Sequence, residues 1–221
     1  MSLFEPKLQA LIDRLQAKSV AQEAETGAWF AERGKRGELS WDGFDDKSHR
    51  YMADKLVALE PDKAEFCHLV CRSLGARRIV ECGTSYGVST LYLAAAVRAN
   101  GGGTVIATEY EPAKAAAARA TFAEAGLAEF IDLREGDLRE TLKVIEGPVD
   151  FVLMDIWTEM ARPALELIRP HLRPGAVVVA DNTERVRQPY RHFFEFVNDP
   201  ANGLSTMTLP FAGGLEFTVK A

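Results

Sequence analysis

The fold class is decided by residues 77–109, RRIVECGTSYGVSTLYLAAAVRANGGGTVIATE. A short β-branched run (77–82), a glycine-containing turn, a helix-period segment (89–99) and a second β-branched run (104–109) follow one another here. Such alternation is typical of a parallel sheet covered by helices. Because the pattern continues to residue 181, we expect five parallel strands.

The two ends of the chain differ from this pattern. STMTL (205–209) and LEFTV (215–219) are separated by PFAGG, which indicates an antiparallel hairpin. Residues 2–33, 48–59 and 62–74 have helix-like apolar spacing. The sequence therefore predicts one α/β domain over residues 1–221, with a helical cap (1–60) and a Rossmann-like core (61–221). Its sheet is predicted to be seven-stranded and mostly parallel, with helices on both faces and an antiparallel C-terminal hairpin.

Composition excludes several functional classes. The 221 residues are 47% hydrophobic and carry a net charge of −6, which would repel phosphate backbones. No apolar run approaches the roughly 20 residues of a membrane span. We expect a soluble, cytoplasmic protein that binds neither nucleic acid nor membrane. The odd number of cysteines (Cys67, Cys71 and Cys82) favours buried thiols over disulfides, and a zinc site would lack a fourth ligand.

Five apolar runs end at an acidic residue. These residues are Glu81, Glu109, Asp137, Asp155 and Asp181. Ligands of an open parallel sheet bind outside the carboxyl ends of its strands, so the five carboxylates are expected to converge on one crevice. A ligand rich in hydroxyls and amines would suit it.

The first crevice loop is ECGTSYGVST, residues 81–90. Gly83 and Gly87 let the backbone turn and approach a ligand, and the following helix directs free N–H groups at anions. Ser85 stands where a dinucleotide pyrophosphate requires glycine. A smaller anion such as a carboxylate is favoured, and Ser89 could bond to it. The alternative is an ordinary tight turn without a ligand.

Two of the acids suit a nucleoside. Glu109 lies 22 residues beyond Gly87, at a strand end where an acid can hold both ribose hydroxyls. Asp137 follows the third strand and could accept a hydrogen bond from an exocyclic adenine amine. Together with the glycine loop, they describe a nucleoside with a carboxylate tail.

With these motifs, residues 55–221 resemble the class I S-adenosylmethionine-dependent methyltransferases, and within them the cation-dependent O-methyltransferases similar to catechol and caffeoyl-CoA O-methyltransferases. The resemblance implies an enzyme that binds S-adenosylmethionine and methylates a small hydroxylated, catechol-like acceptor. A homodimer is also compatible with it. The cofactor contacts that it implies are Lys63, Glu81, Gly83, Ser85, Gly87, Ser89, Glu109, Tyr110, Asp137, Leu138 and Asp155. For Lys63, the alternative is a solvated helix lysine.

A metal site is the sharpest implication of the resemblance. Asp155, Asp181 and Asn182 offer three hard oxygen ligands at neighbouring strand ends, which suits Mg²⁺ or another divalent cation. The metal would lower the pKa of an acceptor hydroxyl, whose oxyanion attacks the sulfonium methyl, and Asp155 is the predicted catalytic residue. The alternative is that these acids are helix caps or solvated loop residues.

One position departs from the family. Three residues after the metal-site aspartate, these methyltransferases usually carry a lysine that takes the hydroxyl proton, but this chain has Thr158. A threonine hydroxyl is too weakly basic for that task. Either the metal alone acidifies the substrate, another base arrives from the cap, or the catechol-type assignment is wrong.

The acceptor contacts are less specific. Trp157 is a candidate apolar wall for an aromatic acceptor, although simple packing explains it equally well. Arg185 or Arg187 is a candidate for recognising an acidic substrate group, with a solvated helix start as the alternative.

Three other functions stay open. They are a metal-independent methyltransferase, a relative that binds S-adenosylmethionine without catalysis, and an NAD-dependent oxidoreductase. The oxidoreductase would need a pyrophosphate glycine and a hydride-transfer acid that the sequence does not offer.

Overall fold

The computed structural model describes residues 3–39, 45–184 and 187–221. These ranges form helices around a seven-stranded sheet. The helices are α1 (Pro6–Lys35), α2 (Asp46–Met52), α3 (Pro61–Ser73), α4 (Val88–Ala99), α5 (Pro112–Ala125), α6 (Leu138–Thr141), α7 (Thr158–Ile168) and α8 (Arg191–Val197). The strands are β1 (Arg78–Cys82), β2 (Thr104–Glu109), β3 (Ile131–Glu135), β4 (Val149–Met154), β5 (Leu172–Asp181), β6 (Leu204–Leu209) and β7 (Leu215–Lys220).

The strand order is β3-β2-β1-β4-β5-β7-β6. The strands from β1 to β5 are mutually parallel, whereas β7 runs antiparallel between β5 and β6. Val80 on β1 lies beside Ile106 on β2 and Val152 on β4. The order reverses at β1 and β4, and this switch point is where parallel sheets bind ligands. The predicted fold class is confirmed.

Helices cover both faces of the sheet, and successive strand residues point to opposite faces. Ile79 is fully buried in the cluster formed with α1, α3, α4 and α5, and its neighbour Val80 is buried in the cluster formed with α6, α7 and α8. Helix α1 contributes Leu8, Leu11 and Ile12 to the first cluster. The N-terminal helix is thus held on one face of the sheet by its apolar stripe.

The second predicted helix (48–59) is shorter than expected, since α2 ends at Met52. Two side chains of α1 bond to the backbone of the following segment. Gln22 Oε1 accepts a hydrogen bond from the Leu56 amide at 3.0 Å, and Ser19 Oγ accepts one from the Ala58 amide at 3.1 Å. A tertiary contact therefore satisfies donors that a continued helix would have used internally.

LRETLKVIE (138–146), which the sequence also predicts to be helical within the strand–helix alternation, forms a helix in its first part alone. Its regular part, α6, stops at Thr141. The Arg134 guanidinium donates to the carbonyl oxygens of Thr141 at 2.8 Å and Val144 at 2.6 Å. These bonds satisfy carbonyls that a longer helix would have bonded itself.

Two composition-based expectations are testable in the described ranges. Cys67, Cys71 and Cys82 are buried and unbridged, as predicted, and burial raises the pKa of each thiol. None of the helices described there combines the length and the hydropathy that a membrane span requires.

Candidate active site

A cavity of about 590 Å³ opens at the carboxyl ends of the central strands. Helix α2 and the beginning of α7 lie at its margins. Nine of the predicted site residues line it, namely Gly83, Ser85, Ser89, Glu109, Tyr110, Asp137, Leu138, Asp155 and Trp157. A concave site of this size suits a ligand of nucleoside dimensions with a second small molecule beside it.

The glycine loop between β1 and α4 approaches the neighbouring strand end. Gly83 has φ +93°, and a Cβ there would overlap the carbonyl oxygen of Asp155. Gly87 has φ +86°, and a Cβ there would overlap the ring of Phe122. Both positions therefore require glycine, which brings the loop against β4 and leaves its pocket side open.

Glu81 lies beneath the loop with no exposed surface. Ser89 Oγ donates to its Oε1 at 2.7 Å, and the hydroxyls of Thr84 and Thr90 donate to its Oε2. Burial raises its pKa to about 7, against the opposing effect of the three hydroxyls. Glu81 and Gly87 are not part of the cavity wall. Through the three hydroxyl bonds Glu81 braces the loop, and its contact with a cofactor stays a prediction.

Glu109 is fixed in the cavity wall by backbone donors. The Ser85 amide donates to its Oε2 at 2.7 Å, and the Glu111 amide donates to its Oε1 at 2.8 Å. Burial raises its pKa, while those amides and the charge of Lys114 oppose the rise. Each carboxylate oxygen has a further lone pair. The geometry can therefore accept hydrogen bonds from two vicinal hydroxyls.

Asp137 caps the start of α6 and is already paired. The Arg139 guanidinium lies 2.6 Å from its Oδ2 and lowers its pKa by hydrogen bonding. Arg139 thus competes with any adenine amine for this carboxylate. The neighbouring Leu138 is buried and offers an apolar contact.

Several cavity residues were not predicted. His49 and Met52 come from α2, Lys114 from α5 and Met160 from α7. His49 Nδ1 lies 3.1 Å from Glu111 Oε1. The sequence identified α2 only as part of a cap, and its facing side carries no distinctive pattern. Lys114 was detectable as a cation in an alanine-rich, sheet-packed helix, and burial lowers its pKa.

The acid cluster at the ends of β4 and β5 contains a lysine. Lys63 Nζ lies 2.6 Å from Asp181 Oδ1 and 2.9 Å from Glu60 Oε2. Asn182 Nδ2 donates to the other oxygen of Asp181, also at 2.6 Å. Burial alone would lower the pKa of Lys63, but the hydrogen bonds and charges of Asp181 and Glu60 outweigh it and raise that pKa. The lysine is therefore a permanent cation.

This arrangement does not fit the divalent ion that the family implies. Both oxygens of Asp181 are engaged, one of them by a full positive charge. Two unit charges 4 Å apart repel by about 4 kcal/mol at an effective dielectric constant of 20, and a divalent ion doubles this. In the described parts of the chain, no group of three or more His, Cys, Asp or Glu residues is arranged to hold a metal.

The members of the cluster differ in whether they line the cavity. Asp155 lines it, whereas Lys63, Asp181 and Asn182 do not. Lys63, predicted as a cofactor contact, is fully buried against Asp181 instead. Asp155 is thus the acid of this cluster that a bound molecule can reach.

At the acceptor end, Trp157 lines the cavity at the start of α7 and is 39% exposed. Arg185 lies outside the described residues. Arg187 is exposed, and its guanidinium lies 4.6 Å from the centroid of the Phe194 ring. Trp157 is therefore the predicted acceptor contact that the cavity includes.

Known proteins that are similar to this chain are methyltransferases. A family model described as a methyltransferase domain matches residues 80–183. The chain is 34% identical over 137 residues to a catechol O-methyltransferase of Niastella koreensis, covering 58% of this chain and 59% of that protein. It is 33% identical over 130 residues to one of Mycobacterium tuberculosis, covering 58% of each. The match thus spans less than two thirds of either curated relative.

A solved structure extends the likeness to most of the chain. The O-methyltransferase TomG of Streptomyces achromogenes, in complex with S-adenosylmethionine, is 26% identical, with a TM-score of 0.65 and coverage of 81% of this chain and 91% of TomG. The chain is thus similar to methyltransferase domains over residues 80–183, and its fold over most of its length is similar to that of an O-methyltransferase that binds S-adenosylmethionine.

Proposed function

We propose that this protein is an S-adenosylmethionine-dependent O-methyltransferase of small hydroxylated, catechol-like acceptors, and that it works without a divalent ion. The observation that carries the proposal is a single cavity joining Glu109 to Asp155 and Trp157. The curated relatives are named catechol O-methyltransferases, which supports the reaction type. Of the two routes open from the sequence, with and without a metal, the lysine-filled acid cluster supports the second.

The cofactor is proposed to lie along the carboxyl ends of β1 and β2. Glu109 would accept the ribose hydroxyls, and Tyr110 and Leu138 would contact the adenine. The methionine part would pass Gly83 and Ser89 at the glycine loop. In this placement Asp155, which lines the same cavity, would lie near the reacting methyl group.

Asp155 is proposed to receive the acceptor proton. Bound S-adenosylmethionine would supply an electrophilic methyl group, with the electron pair of the broken carbon–sulfur bond left on sulfur, and Asp155 would accept the proton that the acceptor hydroxyl loses. Burial raises the pKa of Asp155 well above its ordinary value, and the charges of Asp181 and Glu60 raise it further. A more basic carboxylate is a better match for a phenol. In-line positioning supplies much of the remaining acceleration.

Trp157 and Met160 are proposed to flank the acceptor ring, since both line the cavity beside Asp155. An aromatic acceptor fits two large apolar side chains better than a sugar does. Recognition of an acidic substrate group by Arg185, a homodimer and a cytoplasmic location stay predictions.

The test is calorimetric titration with S-adenosylmethionine and with NAD. We expect one S-adenosylmethionine site and no NAD binding in the wild type. Glu109→Gln should weaken S-adenosylmethionine roughly tenfold or more, because a hydrogen bond to a charged acceptor contributes about 1.5–3 kcal/mol. Asp155→Asn should keep the affinity but reduce kcat on accepted catechols by about a hundredfold or more.

Each other outcome selects another function. Absence of S-adenosylmethionine binding would overturn the proposal, and binding of NAD instead would favour an oxidoreductase. Tight S-adenosylmethionine binding with no turnover over catechols, phenols and aliphatic alcohols would favour a non-catalytic relative.

A further inference from the structure

Lys63 is an unusual residue to find in the interior. It is the third residue of α3, three positions after Glu60, and its side chain has no exposed surface. Its ammonium contacts Asp181, 118 residues away in the sequence. Lysine is almost never fully buried unless it is paired. A covalent stem and two carboxylates therefore fix a positive charge at one point of the fold.

The surroundings of that charge are acidic. Asp155 and Asp181 follow directly on residues paired across β4 and β5, since Met154 lies beside Ala180. Burial raises the pKa of both carboxyls, and the charge of Asp181 raises that of Asp155 further. A buried acidic pair is costly without a cation close to it. Lys63 supplies that cation.

We propose that the Lys63 ammonium is the resident cation of this cluster, and that it excludes a divalent ion from the predicted ligands Asp155, Asp181 and Asn182 by engaging the carboxylate of Asp181. The ammonium lies 2.6 Å from an oxygen that a magnesium ion would contact at about 2.0–2.1 Å. The two cations cannot share that oxygen without strong repulsion. Because the stem is part of α3, the ammonium cannot dissociate as a metal can.

A second atom in the cluster indicates a latent cation site. Asn182 Oδ1 is buried and has no hydrogen-bond partner in the described structure. Asn182 has φ +59°, a backbone conformation that asparagine tolerates better than most residues. Without the ammonium, this amide oxygen and the two carboxylates would form a set of hard oxygen ligands. The cluster therefore holds three donors of the type that a divalent site uses, and one of them, Asp181, is engaged by a protein cation.

The inference deepens one point of the proposed function, the absence of a divalent ion, and its ion-binding test needs neither S-adenosylmethionine nor an acceptor. Its consequence for turnover rests on the proposed function. There, Lys63 acts as a positioning residue, because it engages Asp181 and leaves Asp155 facing the cavity.

The test is a calorimetric titration of the chelator-treated chain with Mn²⁺, in the absence of S-adenosylmethionine and acceptor. We expect no binding at the cluster in the wild type. Lys63→Ala, which removes both charge and stem, should bind one Mn²⁺ roughly tenfold or more tightly than any wild-type site. Lys63→Met is the matched control: it removes the charge but fills the space, so it should not gain the site.

Thermal unfolding provides a second measurement in case Lys63→Ala folds poorly. Ligand binding to the native state raises Tm, so Mn²⁺ should raise the Tm of Lys63→Ala and leave that of the wild type and Lys63→Met unchanged. The inference is overturned if the wild type binds one Mn²⁺ that Asp181→Asn abolishes. It is also overturned if folded Lys63→Ala gains neither Mn²⁺ affinity nor thermal protection. Loss of S-adenosylmethionine binding, measured separately, would instead count against the proposed function.

Discussion

Strand-end carboxylates in and beside the cavity wall are held in different ways at its two ends. At the ends of β1 and β2, neutral donors hold Glu81 and Glu109: hydroxyls in the first case and backbone amides in the second. At the end of β5, a buried ammonium holds Asp181. The neutral donors of Glu109, which lines the cavity, leave its carboxylate able to accept further hydrogen bonds from a ligand. The ammonium instead closes its acid to other cations, so the partner of a strand-end acid decides what that acid can do.

The largest expected effect comes from breaking the charged pair. Lys63→Met leaves Asp181 buried without its cation, which should lower the free energy of unfolding by about 3–5 kcal/mol. Urea unfolding at pH 7 measures the loss. Lys63→Met combined with Asp181→Asn should recover much of it, because the stranded charge is also removed. If the free energy of unfolding of Lys63→Met lay within about 1 kcal/mol of the wild-type value, the Lys63–Asp181 pair would not be the main stabilising contact at the end of β5.

At the end held by neutral donors, the stability of the fold should depend on pH through Glu81. Glu81 has a folded pKa of about 7 against an ordinary value of 4.5. Below pH 4.5 both states hold the proton, whereas between pH 4.5 and 7 the unfolded state ionises first and is favoured. The stability of the wild type relative to Glu81→Gln should therefore fall by roughly 3 kcal/mol across that window and stay constant above it. Paired urea denaturation curves from pH 4 to 8 give this difference, and a flat difference would be contrary to a buried, proton-retaining Glu81.

The contact between the two ends depends on Gly83. Alanine there has to adopt a positive φ and also meets the Asp155 carbonyl. Gly101 has a similar φ of +88° with nothing near its Cβ position, so Gly101→Ala isolates the conformational cost. Gly83→Ala should be destabilised by roughly 2 kcal/mol more than Gly101→Ala. Equal losses in thermal unfolding would mean that the loop can move away from β4.

The smallest expected effect distinguishes binding of the acceptor from binding of S-adenosylmethionine. Trp157→Ala should raise the acceptor KM by roughly tenfold, because it removes one apolar wall, and leave the affinity for S-adenosylmethionine unchanged. Steady-state kinetics and calorimetry measure the two quantities. A parallel loss of cofactor affinity would place Trp157 at the cofactor instead.

Much of this comparison could be read from the sequence. The β-branched runs predicted the parallel strands, and the acids that follow them were predicted at the edge where Glu109 and Asp155 line the cavity. These inferences succeed because strand order places successive carboxyl ends together. The glycine loop was predictable for the same reason, since its glycines adjoin a strand end.

The pairing of Lys63 with Asp181 could not be predicted in this way. The two residues are 118 positions apart, and α3 gives no local sign that its lysine faces inward. The same holds for the early end of α2, where Gln22 and Ser19 bond to the backbone of the next segment. Both depend on tertiary contacts between elements, which local propensity does not contain.

Methyl transfer from S-adenosylmethionine to a panel of catechols, measured with chelator and with Mg²⁺, tests most directly whether the enzyme works without a divalent ion. We expect turnover at the same rate in both conditions, and its loss in Asp155→Asn. Turnover that requires Mg²⁺, and that disappears with chelator in the wild type, would contradict it.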